Sequence, residues 1–315
     1  MKFDKYLFLS VIILILFGIV MIYSASYVWA EYKFNNPYNY VINQGLFAFI
    51  GFFLMILLSK IDYNTYYKYA NHLLIISFVL LILVLIPGIG VVRNGSRSWF
   101  GIASFGVQPS ELAKMSLIIW TSKYLSKSNK FIKDYKKGVI PVLVILMLFF
   151  GLIMLEPDFG SGMIIVVSII AILFIAGVNM KFFIILGILG IIGIALLIII
   201  APYRMDRITS FLNPWKDPLG TGFQIIQSLY AIGPGGLLGT GFLKSRQKHF
   251  YLPEPQTDFI FSIISEEFGI MGVIIVTGFF MFIMYRSIRV SLKVEDSFAK
   301  YLSFGLIFQL IVQTI

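Results

Sequence analysis

Long apolar runs separated by short polar segments extend along the whole chain. A helix needs roughly 20 residues to cross a hydrocarbon core of about 30 Å. Runs close to that length occupy 7–26, 41–58, 70–87, 109–125, 139–155, 160–177, 182–201, 258–285 and 299–315. The pattern therefore predicts an all-α, polytopic membrane protein in which nine transmembrane helices are visible.

The longest polar segment separates the seventh and eighth predicted helices. It runs from 202 to 257 and is rich in Pro, Gly, Asn and Asp, which favour turns. Its glycines match neither a P-loop nor a dinucleotide-binding pattern. We therefore predict a single integral-membrane domain, 1–315, with one large extracytoplasmic loop that folds back over the membrane surface.

The placement of Lys and Arg predicts the orientation, because short loops rich in these residues stay in the cytoplasm. With the N-terminus inside, the inner loops carry fifteen basic residues and the first two outer loops carry three. The loop 202–257 adds six more outside, but the rule weakens for long loops. The N-terminus is therefore predicted to be cytoplasmic.

Composition excludes several classes of protein. With 59% hydrophobic and 13% charged residues, a water-soluble domain would expose large apolar areas to water. The net charge of +10 is explained by the orientation bias and by attraction to anionic lipid, and no nucleic-acid recognition motif accompanies it. The chain has no Cys and two His, so a metal ion would have to be held by carboxylates.

Asp258 ends the long polar loop and opens the eighth apolar run. An ionisable group at a membrane boundary is costly and is a functional candidate by default, and burial there tends to raise a carboxyl pKa towards that of a proton acceptor. Lys248 and other cations precede it and could stabilise an anionic leaving group. At about 100° per residue, Glu266 is expected to share the side of Asp258, whereas Glu267 is expected on the opposite side.

Two charges, Glu111 and Lys114, lie three residues apart on one face of the fourth predicted helix. They either neutralise each other inside the bundle or line a polar cavity for a charged substrate. The preceding outer loop contains Arg97 and Trp99. This combination suits a phosphate or a sugar near the headgroups, although Trp is also an ordinary interfacial anchor.

A very short turn, Glu156-Pro-Asp158, joins the fifth and sixth predicted helices. It brings two more carboxylates to the outer surface. Pro157 and Gly160 explain the turn but require neither acid, so a plain turn and a functional pair stay open.

Several motifs in order resemble the SEDS family, the membrane peptidoglycan polymerases that include FtsW, RodA and SpoVE. The motifs are Tyr23-Ser-Ala-Ser26, Asn94-Gly-Ser-Arg-Ser-Trp99, Gln108-Pro-Ser-Glu111, Glu156-Pro-Asp158, Asn213-Pro-Trp215, Gly222-Phe-Gln-Ile-Ile-Gln-Ser-Leu-Tyr-Ala-Ile-Gly233 and Leu252-Pro-Glu-Pro-Gln-Thr-Asp258. Phe-Leu-Asn-Pro-Trp and Ser-Arg-Gln-Lys resemble the FtsW/SpoVE branch more than the RodA branch. The family has ten spans, so the resemblance implies one further helix after the nine that are visible.

The resemblance implies a peptidoglycan glycosyltransferase that polymerises lipid II with inversion and releases undecaprenyl diphosphate, in cell division or sporulation. Asp258 matches the family's essential aspartate and is expected to act as the general base or to orient the acceptor hydroxyl. The expected diphosphate contacts are Arg97, Lys114, Arg207 and Lys248, with Glu111 orienting Lys114. The other expected substrate-binding residues are Trp99, Asp158, Gln227, Glu254, Thr257 and Glu266.

The same resemblance implies a place in the bacterial cytoplasmic membrane and a set of partners. These are lipid II, a class B penicillin-binding protein that crosslinks the glycan, and other division or elongation membrane proteins, with no nucleic acid. A divalent cation such as Mg²⁺ or Mn²⁺ could bridge the diphosphate. A lipid II flippase, a RodA-type elongation polymerase and a non-catalytic scaffold remain alternatives.

Overall fold

Helices account for most of the chain in the computed structural model, which describes residues 4–93, 95–102, 105–127, 132, 134–200 and 203–314. The helices are α1 (Lys5–Phe34), α2 (Asn39–Ser59), α3 (Tyr63–Leu85), α4 (Pro109–Lys127), α5 (Ile140–Leu155), α6 (Phe159–Ile175), α7 (Met180–Ile200), α8 (Tyr203–Leu212), α9 (Phe223–Ile232), α10 (Ile260–Lys293) and α11 (Ser297–Thr314). Each predicted apolar run lies mostly within one of the long helices, so the helical class is confirmed.

Among the described residues, five helical segments are long and apolar enough to cross a membrane: α1, α2, α3, α10 and the segment 135–155, which joins a π-turn to α5. Helix α4 is less apolar, and protein covers most of it, so that Ser110, Lys114, Ser116, Thr121 and Ser122 are all buried. None of the residues of α2 is buried, and they are apolar enough to face lipid. The count of nine spans stays a prediction.

A small antiparallel sheet after α3 was not predicted. Strands β1 (Val91–Arg93), β2 (Ser96–Ile102) and β3 (Phe105–Val107) lie in the order β1-β2-β3. The Asn-Gly pair between β1 and β2 is a strong hairpin signal in the sequence, because such a turn needs residues that accept a positive φ. Gly95 there has a φ of 82°.

The polar loop 202–257 is also more ordered than predicted. It contains α8 and α9 and two single 3-10 turns, Pro214–Lys216 and Gly233–Gly235. Ile226 and Ala231 of α9 are buried, so this short helix packs through an apolar face. The many Pro, Gly, Asn and Asp residues of this loop therefore end short helices and do not indicate one irregular segment.

The chain forms two compact units, and the prediction of a single domain stays a prediction. Unit 1 comprises Met1–Ser59 and Leu186–Ile283, and unit 2 comprises Lys60–Ile185 and Met284–Ile315. In unit 2, α4 packs against α3, α6 and α11. Gly305 of α11 lies so close to Ile118 and Ile172 that a Cβ atom would be 2.8 and 2.6 Å from their side chains.

Unit 1 is organised by a break in α10 at Gly269, where φ is 63° and ψ is −160°. The carbonyl groups of Glu266 and Glu267 accept hydrogen bonds from the Thr240 and Gly241 amides (2.9 and 3.0 Å). After the break, Ile270 and Met271 donate to the carbonyl groups of Gly236 and Leu237 (3.0 and 3.2 Å). The loop segment 236–241 therefore satisfies backbone groups that the break leaves open.

This docking needs glycine at positions where the two backbones approach closely. A Cβ on Gly235 would lie 2.1 Å from the Ser265 carbonyl oxygen, whereas a Cβ on Gly233, in the same 3-10 turn, would meet nothing within 4 Å. Backbone atoms cannot move aside as a flexible side chain can. Gly235 is thus required by packing, and Gly233 is not.

We expect Gly235→Ala to lower the free energy of unfolding by about 1–3 kcal/mol, because it forces the loop away from α10. Gly233→Ala is the matched control and should change stability by no more than about 1 kcal/mol. Thermal unfolding of both variants in detergent tests this. Equal stability of the two variants would contradict the close docking of the loop on α10.

Candidate functional site

A cavity of about 410 Å³ opens in unit 2 between the small sheet and the turn that precedes α6. The residues that line it are Arg93, Ser96, Ser98, Trp99, Gln108, Pro157 and Asp158. Hydroxyl, amide, carboxylate and guanidinium groups stand beside one large aromatic ring. Such a mixture can bind a hydroxylated and charged ligand through both hydrogen bonds and ring contacts.

The aromatic side of the cavity is held by the strands. The Arg93 guanidinium lies over the Trp99 ring, 5.0 Å from its centroid, which is a cation–π contact. A Cβ on Gly106 of β3 would lie 2.8 Å from the Trp99 ring and 3.0 Å from the Arg93 guanidinium, so glycine is needed there. The hairpin therefore fixes both side chains.

The acidic side of the cavity is held by the start of α6. Asp158 accepts a hydrogen bond from the Ser161 amide (3.1 Å) and caps the helix. Its other oxygen accepts from Gln108 Nε2 (2.6 Å). The turn is thus both a helix cap and part of the cavity wall, and the functional role of Asp158 stays a prediction.

Glu156 lies just behind that wall and is fully buried. Neither of its carboxyl oxygens has a hydrogen-bond partner within the described part of the chain. Its main-chain carbonyl accepts a hydrogen bond from the Ser96 hydroxyl, whose oxygen lies 3.1 Å from that of Ser98. Burial, with a smaller effect from the nearby Asp158 charge, raises the pKa of Glu156 to about 8.

Glu111 and Lys114 form the pair that their spacing predicts. Lys114 Nζ lies 2.7 Å from Glu111 Oε1, and the Lys114 side chain is 1% exposed whereas that of Glu111 is 45% exposed. Gln313 also donates to Glu111 (3.4 Å). Neither charged residue lines the cavity described above.

Arg97 turns away from that cavity. Its guanidinium donates to the Leu85 carbonyl at the end of α3 (3.4 Å), and its Nε is buried without a partner in the described residues. The arginine that lines the cavity is Arg93, the last residue of β1, rather than the predicted Arg97. The difference depends on the pairing of β1 with β2, which hydropathy and spacing along the chain do not specify.

Asp258 lies in unit 1, in a turn, two residues before the start of α10. Protein atoms leave its side chain exposed, and its predicted position at a membrane boundary stays a prediction. Its carboxylate makes no hydrogen bond or ion pair within the described part of its unit. Glu254 and Thr257 are exposed in the same turn, where the Thr257 amide and hydroxyl both donate to the Glu254 carbonyl (3.2 Å each).

Lys248 and Glu266 are buried, unlike the exposed Asp258. Lys248 is fully buried and forms an ion pair of 2.7 Å with Glu267, which is also buried. Glu266 is buried and accepts hydrogen bonds from Ser245 and Arg246. The prediction of Glu266 beside Asp258 and of Glu267 opposite assumed that α10 includes Asp258. Because the helix begins at Ile260, the angle of 100° per residue cannot be counted from Asp258. The pairing of Glu267 with Lys248 was therefore not predicted.

The two remaining predicted positions are less defined. Gln227 is half-buried on α9, next to Ser228, whose hydroxyl lies 2.9 Å from that of Ser262. The Arg207 side chain lies outside the described residues. No group of three or more His, Cys, Asp and Glu that could hold a metal ion occurs among the residues that the structure describes.

Comparison with known proteins identifies the family. The model of the cell cycle protein family, FtsW/RodA/SpoVE, matches residues 4–315. The chain belongs to this family. The match confirms the predicted membership. That prediction came from motifs that include the small hairpin, the Glu-Pro-Asp turn and the turn with Asp258.

Similar curated proteins come from both the SpoVE and FtsW groups. Stage V sporulation protein E of Bacillus subtilis is 46% identical over 310 residues, which cover 98% of this chain and 85% of that protein. A probable peptidoglycan glycosyltransferase FtsW of Geobacter sp. (strain M18) is 40% identical and covers 96% of this chain and 83% of its own. These names agree with the predicted branch and with the predicted enzyme class, peptidoglycan glycosyltransferase.

Solved structures share the fold. One chain, from a study of polymerization and crosslinking by a peptidoglycan synthase complex, is 27% identical with a TM-score of 0.77, covering 99% of this chain and 85% of its own. The rod shape determining protein RodA of Thermus thermophilus is 22% identical with a TM-score of 0.72, covering 100% and 83%. With its apolar helices and its family, the chain is a multi-pass membrane protein.

The buried Glu156 predicts a dependence of stability on pH. Its pKa rises on folding from an ordinary 4.5 to about 8, so the unfolded state holds fewer protons between these values and stability falls as the pH rises through that window. Glu156→Gln removes the titrating group. We expect its melting temperature to exceed that of the wild type increasingly from pH 5 to pH 8.5, by about 2 °C or more at the upper end.

Glu295→Gln, which changes an exposed acid before α11, is the matched control and should follow the wild type at every pH. Melting is measured in one detergent across the pH series. A constant difference between Glu156→Gln and the wild type would show that Glu156 does not change its protonation on folding.

Proposed function

We propose that this protein polymerises lipid II into peptidoglycan glycan strands by inverting glycosyl transfer. The 4-hydroxyl of one lipid-linked disaccharide attacks the anomeric carbon of the growing lipid-linked strand, and undecaprenyl diphosphate leaves. The observation that carries the proposal is an exposed Asp258 carboxylate in the turn before α10, in a chain whose relatives include probable peptidoglycan glycosyltransferases.

Asp258 is the proposed general base. An inverting transfer needs a group that takes the proton of the attacking hydroxyl, and such a base contributes about 10²–10⁴ to the rate. The carboxylate is exposed and has no ion-pair partner in its unit, so a substrate hydroxyl can approach it. Glu254 and Thr257 are proposed to contact the same substrate, because they lie exposed in the same turn.

The cavity of unit 2 is proposed to bind a sugar of lipid II. Trp99 offers a ring for the apolar face of a pyranose, and Gln108, Asp158, Ser96 and Ser98 offer hydrogen bonds to its hydroxyl groups. Gln227 is proposed as a further substrate contact. The half-exposed Glu111, which orients Lys114, keeps its proposed place near a charged part of the substrate.

The diphosphate needs cations, since charge develops on it as the bond to the sugar breaks. Arg93 lines the cavity and is a stronger candidate than Arg97, which donates to the end of α3. Lys114, whose partner Glu111 is half-exposed, and Arg207 remain proposed contacts. Lys248 does not, because its partner Glu267 is buried as well. When bound, a divalent cation such as Mg²⁺ or Mn²⁺ would neutralise part of the diphosphate charge.

The proposed topology places the N-terminus in the cytoplasm and Asp258 at the outer face of the bacterial membrane, with nine spans in this chain. Class B penicillin-binding proteins and other division proteins are the proposed partners. The related structure from a peptidoglycan synthase complex supports a partner of this type. A role in division or sporulation is favoured over elongation by the FtsW and SpoVE relatives.

A lipid II flippase is the second candidate, because it too needs a polar cavity and a break in a membrane helix. The break in α10 at Gly269 fits it, but such transporters pair two broken helices, and α10 is the one helix with non-helical backbone inside it among those described. The loop 236–241 fills this break, so it is not open to a substrate. Polymerisation therefore explains more of the structure.

The decisive variant is Asp258→Asn, studied in the full chain with a class B partner and labelled lipid II. We expect its polymerisation rate to fall about 10²–10⁴-fold, because an amide accepts no proton. Glycan gels measure the product, and lipid II binding is measured on the same preparation. Retained binding shows that the variant is folded.

Asp296→Asn is the control, because it changes an exposed acid that caps α11. It should polymerise lipid II at the wild-type rate. Full activity of Asp258→Asn would remove Asp258 from the chemistry. Absence of polymer from the wild type, together with lipid II transfer across liposome membranes, would favour the flippase.

A further inference from the structure

Two adjacent buried carboxylates in α10 are not used by the chemistry proposed above. Glu266 and Glu267 are each 1% exposed, and they lie just before the break at Gly269. Adjacent residues of a helix point in directions about 100° apart, so one surface cannot serve both. The loop that wraps around α10 supplies partners to each of them.

Glu266 binds the loop through its backbone and one hydroxyl. Its Oε1 accepts from the Arg246 amide (2.7 Å), and its Oε2 accepts from Ser245 Oγ (2.5 Å). Its own carbonyl accepts from the Thr240 amide and hydroxyl (2.9 and 3.0 Å). One residue of α10 thus holds two separate points of the loop, 240 and 245–246.

Glu267 binds the loop and α1 together. Lys248 Nζ donates to its Oε1 (2.7 Å), and the Ser24 hydroxyl of α1 lies 2.7 Å from both carboxylate oxygens. Lys248 Nζ also lies 3.4 Å from Ser24 and 4.9 Å from the centre of the Tyr27 ring. The charges are neutralised inside the protein, where a single unpaired charge would be strongly unfavourable.

This network continues towards Asp258 through buried residues. After Lys248 the chain turns, and the Leu252 amide donates to the Gln247 carbonyl (2.9 Å). Leu252 is fully buried and packs with Met21 and Ala25 of α1 and with Ile263 and Ile264 of α10. Buried Pro255 and Gln256 then lead into the turn that carries Asp258, and α10 begins two residues later.

We infer that Glu266 and Glu267, with Lys248 and Ser24, are positioning residues that hold the segment 244–258 against α10 and α1 and thereby fix Asp258. The inference rests on the proposed function for its effect on the reaction. It assigns Lys248 a different role from a diphosphate contact: the lysine neutralises Glu267. An exposed base needs such support, because small displacements of a catalytic group lower the rate strongly.

The test compares Lys248→Met with the double variant Lys248→Met/Glu267→Met in the full chain with its class B partner. Lys248→Met leaves the Glu267 carboxylate buried without its cation, and we expect kcat for polymerisation to fall at least about 10-fold with KM changed less than about 3-fold. The double variant removes both charges, and kcat should recover about 5-fold or more over Lys248→Met.

A diphosphate contact predicts a different outcome. If Lys248 binds substrate, both variants lose activity equally and KM rises, and the inference is overturned. Hydrogen exchange provides a second readout that needs no activity. In Glu267→Gln the amides of residues 240–258 should exchange at least about 10-fold faster, with α3–α6 unchanged. Unchanged exchange at 240–258 would equally overturn the inference.

Two serines of α1 give a matched pair. Ser24 contacts Glu267, whereas the buried Ser26 hydroxyl has no hydrogen-bond partner in the described residues. Ser24→Ala should lower kcat about 3–10-fold, and Ser26→Ala should change it less than 2-fold. Equal losses would indicate a general effect of α1 and contradict the network.

Full activity of Asp258→Asn would instead refute the proposed base, whatever the serine variants show.

Discussion

The hydrogen bonds that the break at Gly269 releases in α10 must be made elsewhere, because water cannot satisfy them inside a membrane helix. The loop 236–241 makes them, and glycines allow the two backbones to approach. This one constraint brings the polar loop down onto α10 and α1. The buried carboxylates, the Lys248 ion pair and the held turn with Asp258 all depend on that contact.

The same requirement explains where polar residues are tolerated in the other helices. Helix α4 buries Lys114 and several hydroxyl groups, and the Ser77 and Ser116 side chains join α3 to α4 at 2.6 Å. Helix α2, which buries none of its residues, is apolar throughout 45–58 and carries its amide side chains in its first turns. In a bilayer a polar side chain is stable where protein supplies a partner, so the polarity of each helix reflects its position in the bundle.

Four acids show how surroundings separate roles within one residue type. Asp258 is exposed in a turn and is available to a ligand, whereas Glu266 and Glu267 are buried and hold the loop. Glu156 is buried without a hydrogen-bond partner in the described residues, and its pKa is raised to about 8. The surroundings of a carboxyl group therefore decide whether it is available as a base, holds a loop through hydrogen bonds or stays protonated near neutral pH.

The sequence by itself determined the helical class, the extents of the apolar segments, the Glu111–Lys114 pair and the family, because these depend on local hydropathy, on spacing within one helix or on linear motifs. The hairpin between β1 and β2 could also have been predicted, because its Asn-Gly pair is a local signal. Only the tertiary structure decided that Arg93 rather than Arg97 lines the cavity, that Asp258 lies before α10, and that Lys248 pairs with Glu267. Those outcomes depend on contacts such as Ser24 with Glu267, which are 243 residues apart, and no local pattern specifies which distant group will neutralise a buried charge.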